Sequence, residues 1–211
     1  MTAKRTQAQQ AYDTIRAKII TVELRPGEML NEQALTEMTG FGRSPVRDAM
    51  QWLLQEGLVE VRPRRGTFVS QVNFDDVQQI FDLRVAMERI VADVATTRVL
   101  PEHLATLDAL IRRVDASADE ASDSAIDSEF HATMLAITGN RFLARYYSDL
   151  HDASLRLFHL TRCETDTRAD QRATLIATRA ALQDRDSDAL ERILMDHVRD
   201  FRRRVGGAIS L

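Results

Sequence analysis

A chain of 211 residues has room for one large domain or two smaller ones, and 44% hydrophobic with 28% charged residues is ordinary for globular protein. No apolar run reaches the ~20 residues that span a bilayer, and the opening MTAKRTQAQQ lacks the apolar core of a secretory signal. The net charge of −4 argues against a nucleic-acid partner only if charge is evenly spread, and it is not: residues 1–72 hold 10 Lys and Arg against 8 Asp and Glu, residues 73–211 hold 18 against 24.

The single cysteine, Cys163, excludes an internal disulfide and fits a reducing, cytoplasmic setting. No motif surrounds it, so it reads as a plain helix residue. In chain order, residues 6–24 place Ala11, Ile15, Ile19 and Val22 at helical spacing, and Arg25-Pro26-Gly27 stops that helix. Asn31 can cap a second helix, with Glu32 in its first turn and Leu35 and Met38 on its buried side.

Residues 40–57, GFGRSPVRDAMQWLLQEG, predict a third helix, with Ser44 as cap and Pro45 at the first helical position. Val46, Ala49, Met50, Leu53 and Leu54 form one apolar stripe, and Ser44, Arg47, Asp48 and Gln51 fall opposite it, with Arg43 just before. Such a helix, buried behind and offering arginine at its N-terminal end, suits a DNA major groove.

The segment VEVRPRRGTFVSQV alternates as two strands around Pro63-Arg64-Arg65-Gly66. After a helix trio, this basic tip completes a winged helix-turn-helix whose wing can reach phosphates or the minor groove. Residues 73–205 contain no credible strand. Helices are predicted at about 75–98, 101–118, 124–138, 140–162, 169–184 and 187–205, with a polar loop at 119–123 and a fraying tail from Gly206. The fold class is therefore mainly α: a winged helix-turn-helix over 1–72 and an all-α bundle over 73–211.

Polar residues interrupt the bundle's apolar stripes. Asp127 and His131 are one turn apart beside Ile126, Phe130 and Met134; His197 lies among Leu190, Ile193, Leu194, Val198 and Phe201; Arg84 holds a core-face position one turn before Glu88. Buried charge without a partner is costly. From residues alone, two readings of Asp127, His131 and His197 stand: hydrogen-bonded core groups, or a carboxylate and two imidazoles around a divalent ion such as zinc.

The run LRPGEMLNEQALTEMTGFGRSPVRDAMQWLLQEGLVEVRPRRGTFV resembles the DNA-binding domain of GntR-family transcription regulators. IFDLRVAMERIVA, DSEFHATMLAITGN and RDSDALERILMDHV, in that order, resemble the FadR-type (FCD) effector-binding domain. The resemblance implies a homodimer on a palindromic operator in double-stranded DNA, with the bundle sensing a small metabolite that bears a carboxylate.

It also places DNA contacts on Arg43, Ser44, Arg47 and the wing at Arg64, Arg65 and Gly66. Gly42 stands where the family usually has a hydroxyl, which leaves the cap to Ser44, and Gln33 stands where it often has a basic residue. Asp127, His131 and His197 match three of the family's four metal ligands; the fourth position is Leu175, which cannot ligate. Either three ligands hold the ion, or His131 and His197 meet the effector directly. Arg84 is the candidate partner for an effector carboxylate, with an ion pair to Glu88 as its alternative; Asn140 is placed at the pocket rim or at a helix boundary.

The leading reading is a ligand-responsive DNA-binding repressor without catalytic residues. Two alternatives are a metal-dependent hydrolytic enzyme using Asp127, His131 and His197, and an architectural DNA-binding dimer without effector. The first lacks a general base, nucleophile or oxyanion donors nearby; the second would show no stabilisation by any small molecule.

Overall fold

A computed structural model describes residues 5–73, 77–116, 120–161 and 168–209. Cys163 and residue 119 of the expected loop lie outside them. The chain divides into two compact units, one of Met1–Asp75 with Asp152–Leu160, the other of Asp76–His151 with Thr161–Leu211.

In the first unit, α1 (Gln7–Ile20) starts at Thr6, whose hydroxyl accepts from the Gln9 N–H at 3.1 Å. It buries Ala11, Ile15, Ile19 and Ile20. The helix stops short of the expected Val22, which instead turns left-handed at φ 61° while the Leu24 N–H folds back on the Lys18 carbonyl. A short strand, β1 (Met29–Leu30), precedes α2 (Glu32–Thr39). Asn31 caps α2, its oxygen accepting from the N–H groups of Gln33 and Ala34 at 2.8 and 3.3 Å. Replacing Asn31 by alanine is expected to lower stability by about 0.5–2 kcal/mol; thermal unfolding of the two proteins checks it.

Helix α3 (Arg43–Gln55) buries Val46, Ala49 and Leu53, the stripe expected of it. Its start differs from expectation. Gly42 is the cap residue and makes no side-chain cap bond, so Ser44 and Pro45 are the second and third helical residues. Proline is tolerated there because first-turn N–H groups have no intrahelical partner to lose. β2 (Val59–Arg62) and β3 (Gly66–Val69) pair antiparallel in the expected hairpin, and β1 adds to the free edge of β3 with Met29 opposite Phe68. The sheet order is β1-β3-β2. Sequence gave no sign of β1, because two residues are too few to establish alternation.

The second unit is built from α4 (Val77–Arg98), α5 (Pro101–Ala116), α6 (Glu120–Thr138), α7 (Arg141–Thr161), α8 (Arg168–Asp184) and α9 (Ser187–Ile209), with α7 also supplying Asp152–Leu160 to the first unit. α4 lies against α9 and α6, and α5 against α8 and α6. Phe81 of α4 is fully buried, its ring against that of Phe201 of α9, and Met87, Val91, Leu107, Leu110, Phe130, Met134, Leu182 and Leu194 lie in the core.

Loose helix ends are tied down. The Arg185 guanidinium donates to the carbonyls of Thr96, Thr97 and Val99 at 2.8–3.3 Å, which satisfies the orphan acceptors at the end of α4. Two expectations are corrected. α6 begins at Glu120 rather than 124, since a polar stretch suits a helix N-terminus as well as a loop. α9 runs through Gly206 and Gly207 to Ile209 rather than fraying; fully buried Val205 anchors these turns and offsets a glycine cost of about 1 kcal/mol each.

Candidate nucleic-acid interface and buried polar cluster

The buried stripe of α3 fixes what the helix offers outward. Arg43, Ser44, Arg47, Asp48 and Gln51 are exposed, and no acidic residue sits in the first turn. With no side chain capping it, the N-terminus of α3 presents free N–H groups and the positive end of the helix dipole, a ready anion site. Arg47 donates from Nε to Glu32 at 2.7 Å, and this contact holds its guanidinium charged more firmly than usual. The fork of Arg47 is thus braced by α2 while its side chain stays two-thirds exposed. Gln33 is exposed and engaged with Glu37 at 3.1 Å.

At the hairpin tip Arg64, Arg65 and Gly66 are all exposed. Arg64 has φ 61° and Gly66 φ 112°, and at the latter value only glycine is unstrained. Arg62 is not part of this basic set: it pairs with Glu60 at 2.6 Å and stacks over the Phe68 ring at 4.5 Å.

Within the second unit the structure brings Asp127, His131 and His197 together, with one possible ligand atom from each within 4.8 Å of the others. Asp127 Oδ1 is 3.4 Å from His197 Nε2 and 3.8 Å from His131 Nε2. Burial opposes charge on Asp127, yet His131 and His197 outweigh it and hold the carboxyl well below the usual carboxylate range. Burial pushes the His131 imidazole well below its ordinary value, against the pull of Asp127. A carboxylate that stays ionised beside a His131 imidazole that burial keeps from protonating suits metal ligation, which needs both groups without their protons.

Tyr147 of α7 orders the cluster. Its hydroxyl donates to Glu88, so towards His131 Nδ1, at 2.9 Å, it acts as acceptor. That leaves the proton on Nδ1 and aims the Nε2 lone pair of His131 at Asp127, as a hydrogen-bonded tyrosine behind a metal-bound histidine would. The donor chemistry and the imposed tautomer both fit a divalent ion held by Asp127, His131 and His197. Leu175 is buried in the core and takes no part. A pocket of about 270 Å³ opens beside His197, floored by Ala173, Thr174 and Ala177 of α8.

Arg84 and Glu88 are buried one turn apart on α4. The Arg84 guanidinium lies 5.7 Å from the centre of the Tyr147 ring, and its Nε finds no hydrogen-bond partner among the described residues. Burial raises the Glu88 carboxyl, with Arg84 acting against it. Asn140 is exposed, and its side-chain oxygen caps α7 by accepting from Phe142 and Leu143 at 3.1 Å. Sequence reasoning passed over Tyr147 and His151. Their spacing, one turn apart on a predicted helix, was the available signal.

Residues 7–69 match the gntR family of bacterial regulatory proteins, and residues 79–200 match the FCD domain. The chain is 25% identical over 171 residues to the HTH-type transcriptional regulator YdhC of Bacillus subtilis strain 168, covering 79% of this chain and 74% of that one. It is 24% identical over 196 residues to the HTH-type transcriptional repressor RspR of Escherichia coli K12, covering 92% and 86%. Among solved structures, E. coli McbR/YncC superposes with TM-score 0.80 at 19% identity, covering 93% of this chain and 95% of that one. A putative GntR regulator from Rhodococcus sp. RHA1 superposes with TM-score 0.74, also at 19% identity, covering 96% and 99%. At such identity these two establish the fold alone.

Proposed function

The chain belongs to the gntR family of bacterial regulatory proteins, with an FCD domain after its winged helix, and is a DNA-binding transcription regulator; from that premise we propose how its residues divide the work. Residues 1–72 are the DNA-binding domain. Arg43 and Arg47 read guanine edges, because a guanidinium meets both the O6 and N7 acceptors of guanine. Ser44, Gln33 and the uncapped start of α3 hold phosphates, and Arg64 and Arg65, presented by the turn at Gly66, reach the backbone or minor groove. The protein acts as a homodimer on a palindromic operator, as a repressor.

Residues 73–211 bind a small carboxylate, with Arg84 as its cation. Asp127, His131 and His197 hold a divalent ion such as zinc, which supplies an electrophilic anchor for the effector. The effector meets His131 and His197; of the two, His197 lines the pocket, together with Asp196 and Asp200, and His131 is buried. Asn140 keeps its oxygen on the α7 N-terminus, which leaves its amide N–H for the effector. No helix among the described residues is long and apolar enough to cross a membrane. Work on DNA places the protein in the cytoplasm.

One observation carries this reading: two exposed arginines one turn apart at an uncapped helix start, backed by the buried Val46, Ala49 and Leu53. Selection from a random-sequence duplex library tests it. Enrichment of a palindrome with half-sites about one helical turn apart is expected; recovery of unrelated sequences contradicts it. For the metal, Tyr147→Phe is expected to weaken zinc binding by about 10–100-fold, since the His131 tautomer is no longer imposed. Competition against a chelator measures it, and unchanged affinity would remove Tyr147 from the site.

A further inference from the structure

The bundle gathers imidazoles where one would expect a ligand to be missing. The chain has five histidines. Two of them, His131 and His197, meet at the carboxylate of Asp127, and a third, His151, lies against the His131 ring. His131 is the middle ring: its centre lies 4.6 Å from that of His151 and 5.3 Å from that of His197. His151, from α7, is therefore nearer to His131 than a residue already in the donor group. Its ring nitrogens are shielded from solvent, and it adds to the electrostatic hold on the Asp127 charge.

Leu175 of α8 contributes only an apolar wall on the side where the resemblance places a fourth ligand. Resting on the metal reading above, we propose that His151 of α7 takes over that role and completes an Asp127, His131, His151, His197 ligand set. Three imidazoles with one carboxylate are a chemically ordinary zinc or cobalt environment. His151 stands outside the group of mutually close donors. Its recruitment requires its imidazole to turn from where it stands towards the Asp127 carboxylate. Tyr147, one turn earlier on α7, already orients His131, so a single helix would supply both a ligand and the group that aims another.

The test uses the full chain loaded with cobalt(II). In His151→Cys a ligating thiolate adds a sulfur-to-cobalt charge-transfer band in the near ultraviolet, absent from the wild-type protein, whose one thiol is Cys163. That band is expected. Its absence from a folded, cobalt-loaded variant overturns the proposal. Alongside it, His151→Ala is expected to lose about tenfold or more in zinc affinity, with His103→Ala unchanged; wild-type affinity in His151→Ala overturns the proposal too. Circular dichroism melts of the metal-free variants confirm that both are folded. A wild-type protein that takes up no cobalt defeats the metal reading itself, whereas uptake indifferent to residue 151 defeats only the assignment of His151.

Discussion

Arg47→Ala is expected to weaken binding to the selected operator by about 5–150-fold and to relax the base preference at one position of each half-site. The same is expected of Arg43→Ala. Both side chains are exposed and their helix is anchored by other residues, so the fold survives their loss. Arg47 does give up its bond to Glu32, but exposed ion pairs contribute little to stability. Arg64→Ala behaves differently. A phosphate contact carries no sequence information, so its loss weakens all sequences alike and lowers the salt slope by about 1. Fluorescence anisotropy against matched and mismatched duplexes over a range of salt separates the two classes. Equal losses on every sequence for Arg47→Ala would place it on the backbone instead.

The second large effect concerns Arg84 and Glu88. Glu88→Leu is expected to cost about 3–5 kcal/mol, because it removes the nearby carboxylate whose charge acts on the buried Arg84 guanidinium. Tyr147 loses its acceptor in the same variant, and with it the hold on His131. Arg84→Met combined with Glu88→Leu is expected to recover most of that loss, since apolar residues of similar volume replace two buried charged groups at little net cost. Urea unfolding of wild type, both single variants and the double variant closes the cycle. The double variant also loses the cation proposed for the effector. Its thermal midpoint should then be indifferent to added carboxylates that raise the wild-type midpoint, whereas operator binding persists. A Glu88→Leu protein as stable as wild type would show that Arg84 is compensated elsewhere.

What the sequence disclosed, and what it withheld, follows from the range of each interaction. The stripe Val46, Ala49, Leu53 is local periodicity and appears in the structure unchanged. The Asn31 cap is a two-residue contact and was equally legible. The wing followed from alternation and turn chemistry at Pro63 to Gly66. Ser44 as cap was misplaced by two positions, because a serine before a proline is as acceptable inside a first turn as ahead of it. β1 pairs Leu30 with Thr67, far along the chain, and no local pattern announces it.

The buried cluster was legible in part. Asp127 and His131 share one helix, and their spacing exposed them; His197 stood out as a polar residue in an apolar stripe. Glu88 comes from α4, Tyr147 and His151 from α7 and His131 from α6, and their meeting depends on how these three helices rotate against one another. Single-helix periodicity cannot fix that rotation. The family resemblance pointed to position 175, where the structure has a core leucine.

The most direct test of the account is methylation of guanine N7 within the selected operator, followed by separation of bound from free duplex. Methylation at one guanine of each half-site is expected to block the wild-type protein and to leave the already weakened Arg47→Ala protein indifferent at that base. If no guanine methylation interferes with the wild-type protein, or the same guanines interfere equally with the variant, then Arg47 does not read the major groove and the assignment of α3 as the recognition helix is contradicted.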